Sequence, residues 1–356
     1  LTPAGLDALG YTPALAQAMA PLEARGLLPG RVVGAYAPRL FQVATADAEL
    51  LSEVSGSLRH AALGPQDMPA IGDWVALRLR PGGGAAIQSV LPRRTAFVRR
   101  AAGDRTVAQV LAANVDTVFL VMGLDADFNT RRLERALVLA WESGAEPVVL
   151  LNKTDLATDP ERQRVEVERV APGVPVRAIA AKPGEGLDAL APWLVAARTV
   201  VLLGSSGVGK STIVNRLLGR EKQKTREVRE ADQRGRHTTT HRELVALPGG
   251  ALLIDTPGLR EIQLWSEGAG LQVAFEDVRA LSTTCRFSDC SHESEPGCAV
   301  RAAAAEGRLD PARLDSYLKL QAELRSLEVR EDPLKRREQR GRWKAIHKAL
   351  RKDKRD

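Results

Sequence analysis

The chain has 356 residues, a net charge of +7 and a hydrophobic fraction of 44%. That length suits two or three domains with sizeable cores. No apolar run approaches the ~18–20 residues of a membrane-spanning helix, and no charged-then-apolar signal segment opens the chain, so a cytoplasmic protein with no membrane partner is expected. The chain begins at Leu1 rather than Met, as expected where a natural start is missing. The charge is local: residues 334–356 hold eleven Lys/Arg against three Asp/Glu, which leaves the remainder close to neutral. A basic end of this kind fits either an anionic partner or a solvated helix.

Residues 1–29 are rich in Ala, Leu, Pro and Gly and read as a short helix or loose N-terminal arm. From residue 30 to 105 the texture is that of short strands, at 31–36, 41–45, 53–58, 73–79 and 86–90. Five strands at this spacing predict a small all-β barrel of the OB type, a fold that often binds nucleic acid. The arginines that follow (Arg93, Arg94, Arg99, Arg100 and Arg105) fit an RNA-backbone contact and a solvated linker equally well.

Residues 106–270 alternate strands and helices. Strands are expected at 116–122, 147–151, 174–180 and 199–203, and helices at 129–143, 160–170 and 187–194. Such alternation predicts a doubly wound parallel sheet that binds ligands at the carboxyl ends of its strands. A hairpin is expected from 243–247 and 251–254, around Pro248-Gly249-Gly250.

The last strand of that series runs into Gly204-Ser205-Ser206-Gly207-Val208-Gly209-Lys210-Ser211, with Thr212 opening a helical pattern. Strand, Gly-rich loop and helix are the context of a phosphate-binding loop. The glycines let successive backbone N–H groups face phosphate oxygens, and the helix N-terminus adds partial positive charge. Lys210 suits the β- and γ-phosphates, and the Ser211 hydroxyl suits Mg²⁺.

Asn152-Lys153-Thr154-Asp155 ends another strand. The Asp155 carboxylate can accept both N1–H and N2–H of guanine, a donor pair that adenine lacks, so GTP/GDP is the expected nucleotide. Asn152 and Lys153 would brace the base, and Ala181-Lys182 fits a weaker base-contacting loop. Asp255-Thr256-Pro257-Gly258 ends a further strand, with Asp255 suited to Mg²⁺ through water and the Gly258 N–H to the γ-phosphate. In Gly235-Arg236-His237-Thr238-Thr239-Thr240, either Thr239 or Thr240 could reach Mg²⁺ and the γ-phosphate. The order is unusual, because the guanine motif precedes the phosphate loop. The domain therefore reads as circularly permuted, with its outlet just after the Asp255 motif and towards the C-terminal residues.

All three cysteines lie in Cys285-x₄-Cys290-x-His292-x₅-Cys298. Three thiolates and an imidazole are the ligand set of a closed, structural, tetrahedral Zn²⁺ site. An odd, clustered count argues against disulfides. Residues 271–332 are therefore expected to be a mainly helical zinc-binding domain, with Leu309, Leu314, Leu318, Leu320 and Leu324 packing a helix over 302–327. The basic tail at 333–356 follows.

Motif order, preceding barrel and cysteine cluster together resemble the RsgA-type circularly permuted GTPases, which assist small ribosomal subunit biogenesis. The resemblance covers roughly residues 30–330. It implies GTP hydrolysis stimulated by the small (30S) subunit and contact with 16S rRNA, in a protein we expect to be a monomer. Leu259 follows Gly258, where many GTPases carry a glutamine that orients water. Slow intrinsic turnover is therefore expected, with His237 either positioning the water or only shaping its segment, and with Lys210 stabilising charge. An RNA-binding assembly protein with a vestigial nucleotide site, and a permuted GTPase acting on another RNA or at a membrane, remain alternatives.

Overall fold

The computed structural model describes residues 5–100, 108–219, 242–255 and 269–331. The chain forms two compact units, one of residues 1–99 with 107–262 and one of 100–106 with 263–356.

The first unit opens with helix α1 (Pro13–Glu23), capped by Thr12, whose side chain accepts from the Leu15 amide. Five strands follow: β1 (Leu28–Ala37), β2 (Leu40–Ala44), β3 (Glu49–Val54), β4 (Trp74–Leu79) and β5 (Ala85–Val90). They pair in the order β1-β2-β3-β5-β4, and β4 returns to β1, so this part of the sheet closes into a barrel. The strand expected at 53–58 lies earlier. Val54 ends β3, and Ser55 caps helix α2 (Gly56–Ala61) by accepting from the Leu58 amide. A serine cap satisfies an orphan N–H that a continuing strand would leave facing its partner.

Arg93, expected on the surface, is instead a clamp. It donates to both carboxylate oxygens of the buried Asp73 at 2.8 and 2.7 Å and to the carbonyls of Gln66 and Met68. Arg94 pairs with Asp116, and Arg99 donates to Gln109. Arg31 is fully buried and donates to the carbonyls of Leu9, Gly72 and Asn114 and to the Thr199 hydroxyl. It thereby ties the N-terminal segment to the barrel and to the strands that come next. Burial pushes its pKa down to about 10.

A short two-stranded sheet, β6 (Ala96–Arg100) and β7 (Ala108–Ala113), leads to the α/β part. There, β8 (Thr117–Gly123), β9 (Glu146–Asn152), β10 (Val176–Ala178), β11 (Thr199–Leu203), β12 (Arg242–Ala246) and β13 (Leu252–Asp255) lie in the order β10-β9-β8-β11-β13-β12. All neighbours are parallel except β12 and β13, which form the expected hairpin. Helices α3 (Thr130–Ser143), α4 (Pro160–Val170) and α5 (Lys210–Leu218) alternate with the strands. The helix expected at 187–194 is a single 3₁₀ turn, Leu187–Leu190. Phe119, Val148, Leu150, Val200, Ile213 and Leu253 share one core, where each fully buried side chain of this kind contributes about 1.5–3 kcal/mol.

One pairing joins segments far apart in the chain. β12 adds antiparallel to β1, with Gly34 opposite Glu243 and Ala35 opposite Arg242. Barrel and parallel sheet are thus one continuous eleven-stranded sheet.

The second unit is helical: α6 (Ala269–Ala274), α7 (Glu276–Ser282), α8 (Ala299–Ala305) and α9 (Pro311–Glu331). The helix expected over 302–327 is broken at 306–310. Gly307 adopts φ 75° there, and Pro311 starts the next helix, a position where its missing N–H costs nothing.

Candidate functional site

Four parallel strands (β8, β9, β10 and β11) deliver their carboxyl ends to one edge of the sheet, where an open α/β sheet binds ligands. β11 is buried along its whole length and feeds the Gly-rich loop. Two glycines there are sterically required. A Cβ on Gly204 would lie 2.3 Å from the Val121 carbonyl oxygen, and one on Gly209 would lie 2.2 Å from Asn152 Nδ2. Both have positive φ, at 153° and 98°, which L side chains avoid. Val208 is fully buried and pins the loop to the core, while Ser206 and Gly207 are exposed at its tip. Lys210 opens α5 and folds back over the loop, donating from Nζ to the carbonyls of Gly204, at 2.7 Å, and of Ser205. Ser211 and Thr212 are half-buried in the first turn of α5.

Asn152 holds the loops together. Buried at the end of β9, it donates from Nδ2 to Val208 O at 2.8 Å and accepts at Oδ1 from the Ala181 amide at 3.0 Å. One side chain therefore joins the Gly-rich loop, the 152–155 turn and the 181–182 loop. Lys153 takes a left-handed φ of 68°, and its ammonium meets Asp125 at 2.5 Å. Burial works to raise the Asp125 pKa, but this ammonium and the Asp127 amide outweigh it and hold it below its ordinary range. Asp155 is exposed at the start of a 3₁₀ turn, and Lys182 is exposed beside the buried Ala181. Asp255 is half-buried at the end of β13, next to β11. His237, Thr239, Thr240 and Gly258 lie outside the described residues.

Several residues at this edge escaped the sequence. Asp125, Asp127 and Arg132 sit after β8, and Arg216 donates from α5 to the Ala181 and Lys182 carbonyls. Strand order was the missing signal. Because β8 lies beside β11, the segment after β8 must abut the Gly-rich loop.

In the second unit, the ligand atoms of Cys285, Cys290, His292 and Cys298 all lie within 4.8 Å of one another. Cys285 Sγ is 3.7 Å from His292 Nδ1 and 4.0 Å from Cys298 Sγ, which is 3.4 Å from His292 Nδ1. A tetrahedron with metal–sulfur bonds of about 2.3 Å has edges of about 3.8 Å, so the donor set fits a zinc-sized soft cation. Local geometry builds it. Cys298 caps α8. His292 adopts φ 63°. The Glu295 carboxylate accepts from the Ser291 hydroxyl and from the Ser291, Glu293 and Ser294 amides, which closes the turn; the hydroxyl first, with the backbone donors, holds its pKa at about 2. Burial and the neighbouring sulfurs push the Cys290 thiol up to about 11. Cys290 thus resists ionising without a cation to bind it.

A phosphate loop at the sheet edge, preceded in the chain by a guanine-type motif clasped to it, defines a circularly permuted P-loop GTPase. The family model for RsgA GTPase matches residues 90–265. The small ribosomal subunit biogenesis GTPase RsgA of Opitutus terrae is 51% identical over 356 residues, covering 97% of each chain. Its namesake in Streptomyces coelicolor is 46% identical, covering 98% of this chain and 96% of its own. Among solved structures, YjeQ from Thermotoga maritima superimposes with a TM-score of 0.64 at 28% identity, covering 84% of this chain and 98% of that one. YloQ, described as a circularly permuted GTPase, gives 0.60 at 24%, covering 84% and 96%, and shares the fold. The chain belongs to the RsgA GTPase family.

Proposed function

We propose that this GTPase acts on the small ribosomal subunit late in its maturation and hydrolyses GTP to GDP and phosphate; its relatives are named small ribosomal subunit biogenesis GTPases. The clasp of Asn152 on Val208 and Ala181 carries the nucleotide reading, because it sets base-facing and phosphate-facing loops in one register. In this reading Asp155 selects guanine, with Lys153, Ala181 and Lys182 around the base. The amides of 204–209 with Lys210 and Thr212 hold the phosphates. Thr239, Thr240 and Gly258 close on the γ-phosphate.

Mg²⁺ is part of the same proposal. Hydroxyl and carboxylate oxygens are the hard donors it takes, and Ser211, Thr239 and Asp255 are the residues that would hold it, where it would neutralise charge developing on the phosphates. Lys210 offsets that charge from the protein side. Leu259 cannot orient water, so His237 takes that role once the subunit is bound. The Cys₃His cluster holds one structural Zn²⁺.

The full assignment makes 1–29 an arm, 30–105 an RNA-binding barrel, 106–270 the GTPase, 271–332 the zinc domain and 333–356 a basic tail. The protein is a cytoplasmic monomer that touches 16S rRNA. His237→Ala tests the water-positioning role. It should abolish subunit-stimulated turnover while GTP binding persists, and unchanged stimulated turnover would refute it.

A further inference from the structure

The loop between β8 and α3 brings a second cation to the phosphate loop. Asn129 caps α3 by accepting from the Arg132 amide, which places Arg132 in the helix's first turn, beside the Gly-rich loop. From Nη1 its guanidinium donates to the Ser205 hydroxyl at 2.6 Å and to the Asp127 carboxylate. The backbone carbonyl of the same Ser205 accepts from Lys210 Nζ. Ser205 is therefore gripped by two cations, one on its main chain and one on its side chain.

Position along the nucleotide follows from Lys210. The lysine of a phosphate loop serves the β- and γ-phosphates. Its ammonium lies on Gly204 and Ser205, so Ser205 marks the γ-phosphate end, and Arg132 with it. Both Arg132 bonds run from Nη1, which leaves Nη2 and Nε uncommitted among the described residues. The neighbouring charges are accounted for: Lys153 pairs with Asp125, and Arg131 with Glu134. Asp127 neutralises Arg132 only in part, because both side chains are partly exposed, at 29% and 49%.

We propose that Arg132 is a positioning residue for the γ-phosphate end of the site: it fixes Ser205, and the positive charge it holds there favours the triphosphate over the diphosphate. The inference rests on the Gly-rich loop being the GTP site. GTP carries more negative charge than GDP, and the addition lies at this end. A cation there separates the two nucleotides, whereas a purely mechanical grip on the loop weakens both alike. The effect is moderate. Removing one preorganised donor from a dry site costs about 10²–10³ in rate, but charges this exposed are screened, so about tenfold is expected.

The test uses the full-length protein with fluorescent GDP and a fluorescent non-hydrolysable GTP analogue at fixed Mg²⁺, for wild type, Arg132→Ala, Arg132→Lys and Ser205→Ala. Arg132→Ala should weaken the GTP analogue about tenfold and GDP less than about twofold. Arg132→Lys should restore most of the difference, and Ser205→Ala, which keeps the charge, should leave the ratio of the two affinities near wild type. Equal weakening of both nucleotides by Arg132→Ala, or none, with wild-type binding intact, would overturn this inference alone. Absence of guanine-nucleotide binding by the wild-type protein would overturn the nucleotide reading and this inference with it.

Discussion

Asn152 shows how much one amide can organise. Its two hydrogen bonds satisfy a loop carbonyl and a loop N–H in a buried position. Truncation to alanine leaves both groups unpaired, at about 1–3 kcal/mol for such a loss. Asn152→Ala should therefore lower the thermal midpoint and weaken GTP and GDP together, measurable by melting and titration. Asp155 behaves differently because it is exposed. Asp155→Asn should leave stability within about 0.5 kcal/mol yet erode the preference for GTP over ATP; an undiminished preference would undo that role. Arg93 makes the contrast with a structural ion. Burial raises the Asp73 pKa and Arg93 opposes it. Arg93→Ala strands a buried carboxylate, a defect worth about 3–5 kcal/mol. A carboxyl whose folded pKa lies above its unfolded value destabilises the fold once the pH exceeds the unfolded value. The Arg93→Ala deficit should accordingly be full at neutral pH and shrink as the pH falls towards the ordinary carboxylate range; a deficit independent of pH would count against it.

At the scale of elements, the strands of the α/β part were legible because each is a run of buried β-branched and aliphatic residues bounded by turn residues, as in Val148–Leu151 and Val200–Leu203. The phosphate-loop motif was legible because glycine is forced at 204 and 209 by close approaches that a side chain would block. What the residues could not reveal was pairing between distant segments. The β1–β12 joint leaves no local mark, since Gly34 and Ala35 read the same on a free edge as on a paired one. Arg93 hid for a related reason: an arginine in a segment with four others reads as surface until its partner, Asp73, is placed in space. The metal cluster was the opposite case, because its ligands lie within fourteen residues and spacing alone defined it. Its energetic weight is testable. Zinc in such sites supplies on the order of 10 kcal/mol of folding free energy, so chelation should release about one zinc per chain and strip hydrogen-exchange protection from α7 and α8. Retained protection after complete zinc removal would show that the helices stand without it.

For the whole molecule, the permuted order matters more than any single motif. The strand after the 220–241 segment, β12, is also the strand that joins the barrel. The strand that ends at Asp255, β13, is its hairpin partner. Barrel and nucleotide edge therefore share a hydrogen-bonded ladder, and any partner that engaged the barrel at β1 would lie two strands from the phosphate loop. Leu259 adds the kinetic expectation: with a leucine where many GTPases carry a water-orienting glutamine, the protein alone should hold GTP better than it hydrolyses it. In the proposed function, the small ribosomal subunit completes this site. The most direct measurement is steady-state GTP hydrolysis by the full-length protein with Mg²⁺, with and without purified small subunits. Turnover should be slow for the protein alone and rise about 10³-fold or more with the subunit, the scale at which a partner completes a phosphoryl-transfer site. Equal rates in the two conditions would contradict it.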